Sequence, residues 1–363
     1  MSTGRLTVDL DAIRANYRAI AARSAPAVTA AVVKADAYGL GATRVAPAHA
    51  REGCRSFFVA HLVEARPLLA ALPADAVIFI LNGLAPGEEA DAATLGVVPV
   101  LNGPEQVRAW ADAGRALGRR LPAALQIDSG MARLGLTSDE ALALAEDAAL
   151  LQAIDLRLVM THLARGDEPD ESLNDLQLSR FLALCERLPP APRSIANSGG
   201  AFLAPGFRQD LVRPGVSLYG GAPHIGGAGL ATVATLDAPV IQIREVPAGT
   251  GIGYGHLRTS AAPMRLATIG LGYADGWPRE LTGRGAAWFE GVLLPFVGRV
   301  SMDSIILDIG ALPAGALKPG DRVEVLGPHR LLDTVAEEAG TISHEILARL
   351  GPRLRRDYVG EAA

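Results

Sequence analysis

Short apolar runs alternate with longer amphipathic segments along residues 28–218 of the chain. The apolar runs have strand length and end in turn residues, whereas the segments between them have helix length and are rich in Ala and Leu. The eight runs are Val28–Val33, Phe57–Ala60, Val77–Leu81, Val97–Leu101, Ala124–Ile127, Leu156–Met160, Arg193–Ala196 and Leu211–Leu218. Strands that alternate with helices predict a parallel sheet. Eight repeats favour closure into a (β/α)8 barrel, with a doubly wound open sheet as the alternative.

Local signals indicate where several of these helices begin. Pro104 follows Asn-Gly and suits a first helical position. The sequence Thr137-Ser-Asp-Glu140 fits a capping box at the start of an Ala/Leu run. A long helix is predicted within Asp167–Leu188, whereas the connection Ser198–Phe207 is broken by Gly and Pro and should contain little helix.

The pattern changes after Gly220. Residues 221–229 are glycine-rich, which is typical of a linker, and short alternating or wholly apolar runs follow. These runs are Val240–Val246, Leu266–Leu271, Ala286–Val297, Val300–Ile309 and Arg322–Leu326, with short helices predicted at Leu331–Gly340 and Ser343–Leu350. Runs of this kind, separated by turn residues, predict a mainly β domain. We therefore expect two domains: a barrel over residues 1–225 and a β domain over residues 226–363.

Composition and charge narrow the class of protein. Of 363 residues, 49% are apolar and 20% are charged, and the net charge is −5 without a long basic run, which argues against a nucleic-acid partner. No apolar run reaches the ~18 residues expected of a membrane span, and charge appears too early for a signal peptide. Two cysteines, Cys54 and Cys185, lie in apolar segments outside any Cys-x-x-Cys pair. We expect a cytoplasmic protein with free thiols.

One lysine stands at the C-terminal end of the first apolar run. Lys34 directly follows the β-branched run Val28–Val33 and precedes Tyr38, Gly39 and Gly41. An amine buried at such a position loses solvation, so its pKa falls and it becomes a nucleophile suited to an aldehyde cofactor. The alternative is a lysine at the rim of the barrel that extends its amine to water.

Polar residues follow further strands of the predicted barrel. They are Asp128–Arg133, Thr161, His162, Asn197–Gly200, Arg213–Gly215 and Tyr219. Because the C-terminal ends of parallel strands form the mouth at which barrel enzymes place their active sites, we expect these residues to converge there.

Their chemistry suits an anionic ligand. The Ser198 hydroxyl and the backbone N–H groups at Gly215 and Val216 are donors of the kind that bind phosphate. Arg133 is a cation able to hold a carboxylate in two hydrogen bonds. Arg213 interrupts an apolar run and requires acceptors. His162, taken alone, is more typical of a structural histidine than of a catalyst.

Two segments of the predicted β domain also carry reactive side chains. Tyr254 lies between Gly253 and Gly255, where a tyrosine can reach another surface, although an ordinary β-turn is the simpler interpretation. The segment Gly298–Asp303 interrupts an apolar run, for which a bulged edge strand is the simpler interpretation. The sequence has no phosphate-loop, His-Glu-x-x-His or clustered Cys/His motif, and we expect no metal.

Together these motifs resemble those of the alanine racemases, a family of fold-type III enzymes that depend on pyridoxal 5′-phosphate (PLP). The resemblance extends over almost the whole chain in the order and spacing of the family. It rests on residues 31–41, 128–135, 161–162, 197–198, 213–215, 253–255, 272–277 and 298–303.

The resemblance implies a two-base racemisation in a homodimer. It implies that Lys34 holds PLP and acts as a base on one face of the substrate. Tyr254, supplied by the other subunit and supported by His162, acts on the opposite face. Arg133 and the backbone at Met302 bind the substrate carboxylate, and Tyr273 lines the entrance. The implied cofactor contacts are Arg213 at the pyridine nitrogen and Tyr38, Ser198, Gly215 and Val216 at the phosphate.

Three positions depart from the pattern of the family. Gln126 stands where many relatives carry a carbamylated lysine, so that Arg133 is braced either by a bound anion or by Gln126 itself. His344 stands where the family usually has a tyrosine near the phosphate, and it can still donate a hydrogen bond to the cofactor. Leu40 replaces a frequent histidine.

The resemblance further implies that the substrate is a small amino acid and that the enzyme supplies D-alanine for peptidoglycan, with no nucleic-acid or membrane partner. A serine or broad-specificity racemase on the same scaffold is the alternative enzyme. An alternative of another class is a non-catalytic PLP-binding regulatory protein. Such regulators resemble the first domain only, and a full β domain with Tyr254 argues against them.

Overall fold

A computed structural model describes residues 4–360 of the chain. Contacts divide them into two compact units, one formed by residues 14–218 and 222–228 and the other by residues 4–13, 219–221 and 229–360. Residues 4–13 thus group with the second unit, whereas the sequence-based division assigned them to the first. The first strand, β1 (Arg5–Asp9), accounts for this difference because it pairs with strands of the second unit.

The first unit is a closed barrel of parallel strands. Its strands are β2 (Val28–Thr29), β3 (Ala31–Val32), β4 (Ser56–Val59), β5 (Val77–Ile80), β6 (Val98–Leu101), β7 (Leu121–Gln126), β8 (Ile154–Met160), β9 (Arg193–Ser194) and β10 (Leu211–Val212). Each strand from β3 to β9 pairs with the next, β10 pairs with β2, and the Arg213 N–H donates to the Ala196 carbonyl at 2.9 Å. Since β2 and β3 flank Ala30 and fill one position, the predicted eight-stranded barrel is confirmed within the described residues.

The last barrel strand is shorter than predicted. The sequence indicated a strand over Leu211–Leu218, but β10 ends at Val212 and a 3₁₀-helix covers Val216–Tyr219. Pro214 lies between the two elements and lacks the N–H that a continuing strand needs.

One helix precedes the first barrel strand, and further helices connect the strands. They are α1 (Leu10–Ser24), α2 (Ala42–Arg51), α3 (Leu62–Leu69), α4 (Glu89–Leu95), α5 (Pro104–Ala116), α6 (Ser138–Glu146), α7 (Ala148–Gln152) and α8 (Ser172–Cys185). The predicted starts at Pro104 and at the Thr137 capping box are confirmed, because Thr137 Oγ1 accepts from the Glu140 N–H at 3.2 Å. The segment 198–207 forms only 3₁₀ turns, as expected.

Apolar side chains fill the barrel on both faces of its strands. Phe57, Phe58, Ile80 and Leu125 are among the fully buried side chains. Burial on both faces explains why these strands appear in the sequence as continuous apolar runs.

The second unit is built on an antiparallel sheet. Its strands are β1, β11 (Ala234–Val246), β12 (Gly251–Ile252), β13 (Arg258–Thr259), β14 (Met264–Ile269), β15 (Ala286–Phe289), β16 (Val292–Val297), β17 (Ile305–Asp308), β18 (Arg322–Leu326) and β19 (Arg355–Val359). Six strands close a ring in the order β11-β14-β17-β16-β15-β18, and β1 joins β11 to β19. Two helices, α9 (Leu332–Ala339) and α10 (Ser343–Ala348), occupy the positions predicted for them.

Two predicted strands of this unit differ in extent. The run 286–297 is a hairpin whose turn, Glu290-Gly291, has positive φ angles of 45° and 89°. The run 300–309 contributes a strand only from Ile305, and Gly298, with φ 76°, begins a loop that extends to β17. The segment 298–303 is therefore a loop and not a bulged edge strand. No helix within residues 4–360 combines the length and apolar character that crossing a bilayer requires.

Candidate active site

Lys34 follows the first barrel strand, whose last residue is Val32, and the chain then turns with a left-handed backbone. Residues 35–38 all have φ angles between 52° and 57°. This conformation costs an L-residue about 1–2 kcal/mol, and such strain clusters at functional sites. The turn is stabilised locally, for example by the Gly39 N–H, which donates to the Ala35 carbonyl at 2.8 Å. Backbone freedom is thus required not only at the glycines of this motif but also at four residues with side chains.

The amine of Lys34 lies in a charged and partly desolvated environment. Burial lowers its pKa from the ordinary 10.5, the positive charge of Arg133 lowers it further, and the carboxylate of Glu64 opposes both effects. The residue as a whole is half-buried. A lowered pKa increases the fraction of the neutral, nucleophilic amine.

The left-handed turn brings Tyr38 against the last barrel strand. A methyl group built on Gly215 would lie 2.2 Å from the Tyr38 hydroxyl oxygen, so only glycine fits there. Ser198 Oγ accepts from the Gly215 N–H at 2.9 Å. Tyr38, Ser198 and Val216 are buried, and burial raises the pKa of the Tyr38 phenol, which keeps it a neutral donor. Tyr38, Ser198 and Gly215 therefore form one cluster, and Val216 is the next residue along the chain.

Arg213 is buried in the barrel with neutral partners. One guanidinium nitrogen donates to Ser194 Oγ, and another donates to the Thr161 carbonyl at 2.6 Å. Burial lowers the Arg213 pKa to about 9, which leaves the group charged at neutral pH. The Thr161 hydroxyl is in turn hydrogen-bonded to Ser129 Oγ at 2.8 Å. This buried network fixes the orientation of the Arg213 guanidinium, whose hydrogen-bond acceptors are all neutral.

The loop that carries Arg133 is organised by Asp128. The Asp128 carboxylate accepts from the N–H groups of Gly130, Met131 and Ala132 at 2.7–2.9 Å. Arg133 follows directly and is exposed, and its charge reaches Lys34. The loop therefore places a cation close enough to the amine to lower its pKa.

Gln126 contacts this loop at the residue after Arg133. Its side-chain amide is buried and donates to the Leu134 carbonyl at 3.0 Å. A glutamine at this position can thus hold in place the backbone next to Arg133. The choice between a bound anion and Gln126 as the brace of Arg133 stays a prediction.

His162 follows β8 and is half-buried. Its carbonyl accepts from Gln177 Nε2 at 3.0 Å, and the same nitrogen donates to Ser129 Oγ at 3.2 Å. The backbone of His162 is therefore tied to the network that also holds Thr161. Its predicted support of Tyr254 stays a prediction.

Tyr254 lies in the second unit, in a 3₁₀ turn between β12 and β13. Its side chain is 71% exposed, and Gly253 and Gly255 have φ angles of 66° and 70°. Both interpretations of this segment are thus met: it is a turn, and it presents a phenol to the surface.

Three further predicted ligands belong to the same unit. The Tyr273 N–H donates to the Ser301 carbonyl at 3.1 Å, and the Ala274 N–H donates to the Met302 carbonyl at 3.0 Å. The structure therefore brings Tyr273 and Met302 together, and both are exposed. His344 lies on α10 and is exposed.

Sequence reasoning missed two charged residues that hold these segments. Glu64 accepts from the N–H that follows Lys34, and its spacing from His61 is that of a capping box, a signal present in the sequence. Arg353 forms ion pairs with Asp275 and Asp303, and nothing in the local sequence indicates this pairing.

Comparison with known proteins agrees with this arrangement. The family "Alanine racemase, N-terminal domain" matches residues 8–223, and "Alanine racemase, C-terminal domain" matches residues 233–358. "Alanine racemase, catabolic" from Agrobacterium fabrum is 51% identical over 99% of this chain and 92% of its own length. Alanine racemase from Brucella abortus is 51% identical over 98% of this chain and 93% of its own length.

Solved structures show the same similarity. Alanine racemase from Bartonella henselae, solved with covalently bound pyridoxal phosphate, is 42% identical and superposes with a TM-score of 0.95 over 99% of this chain and 100% of that chain. Because matches to both domain families extend over nearly the whole chain, and relatives at half identity match it from end to end, this chain belongs to the alanine racemase family.

Proposed function

We propose that this chain interconverts L- and D-alanine with PLP bound at Lys34. The observation that carries the proposal is the cluster of Tyr38, Ser198 and Gly215, close to the strand that precedes Lys34. Hydroxyl and backbone N–H donors suit a phosphate, and a side chain on Gly215 would fill the space of the cluster.

The donor set fits the cofactor at its other end as well. Lys34 has a lowered pKa, as an amine that bonds to an aldehyde requires. Arg213 keeps its proton at neutral pH, so it would donate to the pyridine nitrogen rather than protonate it. When bound, PLP accepts the electron pair that remains at the substrate Cα after proton removal. By leaving that nitrogen unprotonated, Arg213 would weaken this effect and limit side reactions.

Racemisation requires a proton acceptor on one face of Cα and a proton donor on the other. In the proposed mechanism the neutral Lys34 amine takes the proton on one face, and the Tyr254 phenol of the other subunit returns one on the opposite face. In the reverse direction the two residues exchange these roles. The exposed position of Tyr254 is what a residue that acts across a dimer interface needs.

The remaining residues would orient the substrate. Arg133 and the backbone N–H at Met302 would bind its carboxylate, which is the group common to all amino acids. Tyr273 would line the entrance. His162 would support Tyr254, and His344 would donate to the phosphate in place of the more usual tyrosine.

Substrate preference and physiological role form the finer part of the proposal. We propose alanine as the preferred substrate and D-alanine supply for peptidoglycan in the cytoplasm as the role. The similar Agrobacterium fabrum protein is named catabolic, so a part in alanine catabolism is the second candidate role. A serine or broad-specificity racemase is the alternative enzyme. A non-catalytic PLP-binding regulator is disfavoured because the matches include the C-terminal domain family.

Complementation between two inactive variants tests the shared site. Lys34→Ala and Tyr254→Phe are each expected to lose racemase activity, and Lys34→Ala also loses the absorbance near ~420 nm of bound PLP. If both residues act at one site across a dimer, co-expressed variants pair at random, and about a quarter of wild-type activity returns. Activity that stays absent in the verified mixed dimer contradicts the shared site.

Two further measurements test the chemistry and the substrate. Loss of the Cα proton from L-alanine in D₂O distinguishes a racemase from a PLP-binding regulator, which would give no exchange. A kcat/KM for L-serine above that for L-alanine, with L-lysine as a third substrate, would favour the alternative enzyme. Because racemisation is reversible, deletion of the gene distinguishes the two roles: a growth requirement for added D-alanine indicates supply, whereas loss of growth on alanine as the carbon source indicates catabolism.

A further inference from the structure

Glu64 connects the backbone after Lys34 to the next strand of the barrel. One oxygen, Oε2, accepts from the Ala35 N–H at 2.6 Å. The other oxygen, Oε1, accepts from the Ala60 N–H at 3.1 Å and the His61 N–H at 3.0 Å. A single carboxylate thus joins the C-terminal ends of two adjacent barrel strands.

We propose that Glu64 is a positioning residue for Lys34: it holds the left-handed turn in place and sets the electrostatic environment of the amine. The inference rests on the proposed function, in which Lys34 carries the cofactor. Glu64 itself touches neither the substrate nor the cofactor in this proposal, and it acts through the backbone and charge of its neighbour.

The backbone geometry supports a role beyond helix capping. As the third residue of α3, Glu64 needs only one oxygen for the capping-box contact to His61. The second oxygen of Glu64 accepts a hydrogen bond from outside the helix. The donor is the N–H of Ala35, the first residue of the left-handed turn. Hydrogen bonds to a charged acceptor are stronger than neutral ones. Glu64 therefore makes a strong contact at the residue where the strained turn begins.

The charges around Lys34 support the second part of the inference. Arg133 and Glu64 are the charged groups that act on the amine, and they act in opposite directions. Without the Glu64 carboxylate, nothing would oppose the lowering of the Lys34 pKa by burial and by Arg133. Glu64 therefore limits how far the pKa of Lys34 falls.

Two variants separate this role from helix capping. Glu64→Gln keeps the shape but removes the charge, and its amide nitrogen cannot accept the N–H bond that one carboxylate oxygen accepted. Glu140→Gln is the matched control: Glu140 is the capping-box residue of α6 and accepts from the Thr137 N–H at 2.9 Å. Glu64→Ala removes both oxygens and serves as a second test variant.

The whole sequence contains two lysines, Lys34 and the exposed Lys318, so the amine can be observed directly. Full-length protein freed of cofactor is methylated reductively with ¹³C-formaldehyde, and the two lysine signals are followed by NMR as the pH changes. In Glu64→Gln we expect the pKa of Lys34 to fall below its wild-type value while the Lys318 titration does not move. We also expect PLP to bind about tenfold more weakly.

The inference is overturned if Lys34 titrates as in the wild type in Glu64→Gln, or if Glu140→Gln shifts it equally. Circular dichroism verifies that each variant is folded, and a misfolded Glu64→Ala leaves Glu64→Gln as the deciding variant. Failure of the proposed function gives a different result: borohydride then traps no PLP on Lys34 in the wild-type protein, whatever the titrations show.

Discussion

The hydroxyl of Tyr38 occupies the space that any side chain on Gly215 would need, because a Cβ built there would lie 2.2 Å from the hydroxyl oxygen. The two residues are far apart in the sequence, and closure of the barrel brings them together. Ser198 holds the Gly215 N–H from the other side. Gly215 is therefore required for close approach, and its φ angle is not in the left-handed region.

Gly215→Ala is expected to displace the Tyr38 phenol and to weaken PLP binding about tenfold or more, because a donor of the phosphate cluster moves. A fluorescence or absorbance titration with PLP measures the dissociation constant. Gly206→Ala is the matched control, since a Cβ at Gly206 meets Leu178 at an ordinary 3.8 Å. Equal PLP affinity in the two variants would contradict the assignment of the cluster.

Lys34→Met should make the cofactor-free protein more stable at neutral pH. The folded-state pKa of Lys34 lies below the ordinary 10.5, so the folded protein binds this proton less tightly than the unfolded chain. The stability of the wild type relative to Lys34→Met is thus lowest below the folded-state pKa and rises as the pH approaches 10.5. Urea unfolding of the wild type and Lys34→Met, from neutral pH to about pH 10.5, tests this prediction. Lys318→Met is the control, because Lys318 is exposed. A difference independent of pH would show that Lys34 is not desolvated.

His49 should make the protein sensitive to acid. It is buried beside Tyr17, and burial lowers its pKa from 6.5 to about 3. The folded state therefore keeps His49 neutral while the unfolded chain binds a proton, so stability is lost as the pH falls from 6.5 towards 3. Relative to His49→Gln, the free energy of unfolding of the wild type, measured in urea, should fall by at most about 1.4 kcal/mol per pH unit. Parallel profiles would refute this, and the exposed His256→Gln is the control.

Arg353 should hold the Tyr273 turn against the loop of Met302. Its guanidinium binds Asp275 at 2.9 Å and Asp303 at 2.7 Å, and Asp275 is buried. Arg353→Ala leaves this buried carboxylate without its cation, so the turn and the loop should separate more often. We expect faster hydrogen exchange at the Tyr273 and Ala274 amides.

The same variant should raise KM for alanine roughly tenfold with a smaller change in kcat, if the Met302 backbone binds the substrate carboxylate. Arg355→Ala is the matched control, because Arg355 forms an exposed pair with Asp357 at 2.8 Å, and such pairs contribute little. Unchanged exchange and KM in Arg353→Ala would mean that other contacts hold the two segments.

The sequence by itself determined the barrel, the positions of most of its strands and the family motifs at the strand ends. Those features are local: a buried strand is apolar along its whole length, and parallel strands place their C-terminal ends at one mouth. Lys34, Ser198 and Arg213 could be selected for this reason alone.

Only the tertiary structure decided which distant residues touch. The first strand, β1, carries no local signal of its partners, yet it pairs with β11 and β19 of the second unit. The contact of Glu64 with Ala35 and the ion pairs of Arg353 likewise join residues far apart in the sequence. Periodicity reports whether a position is buried, but a hydrogen bond or an ion pair depends on the register and closure of the sheets, which no single segment contains.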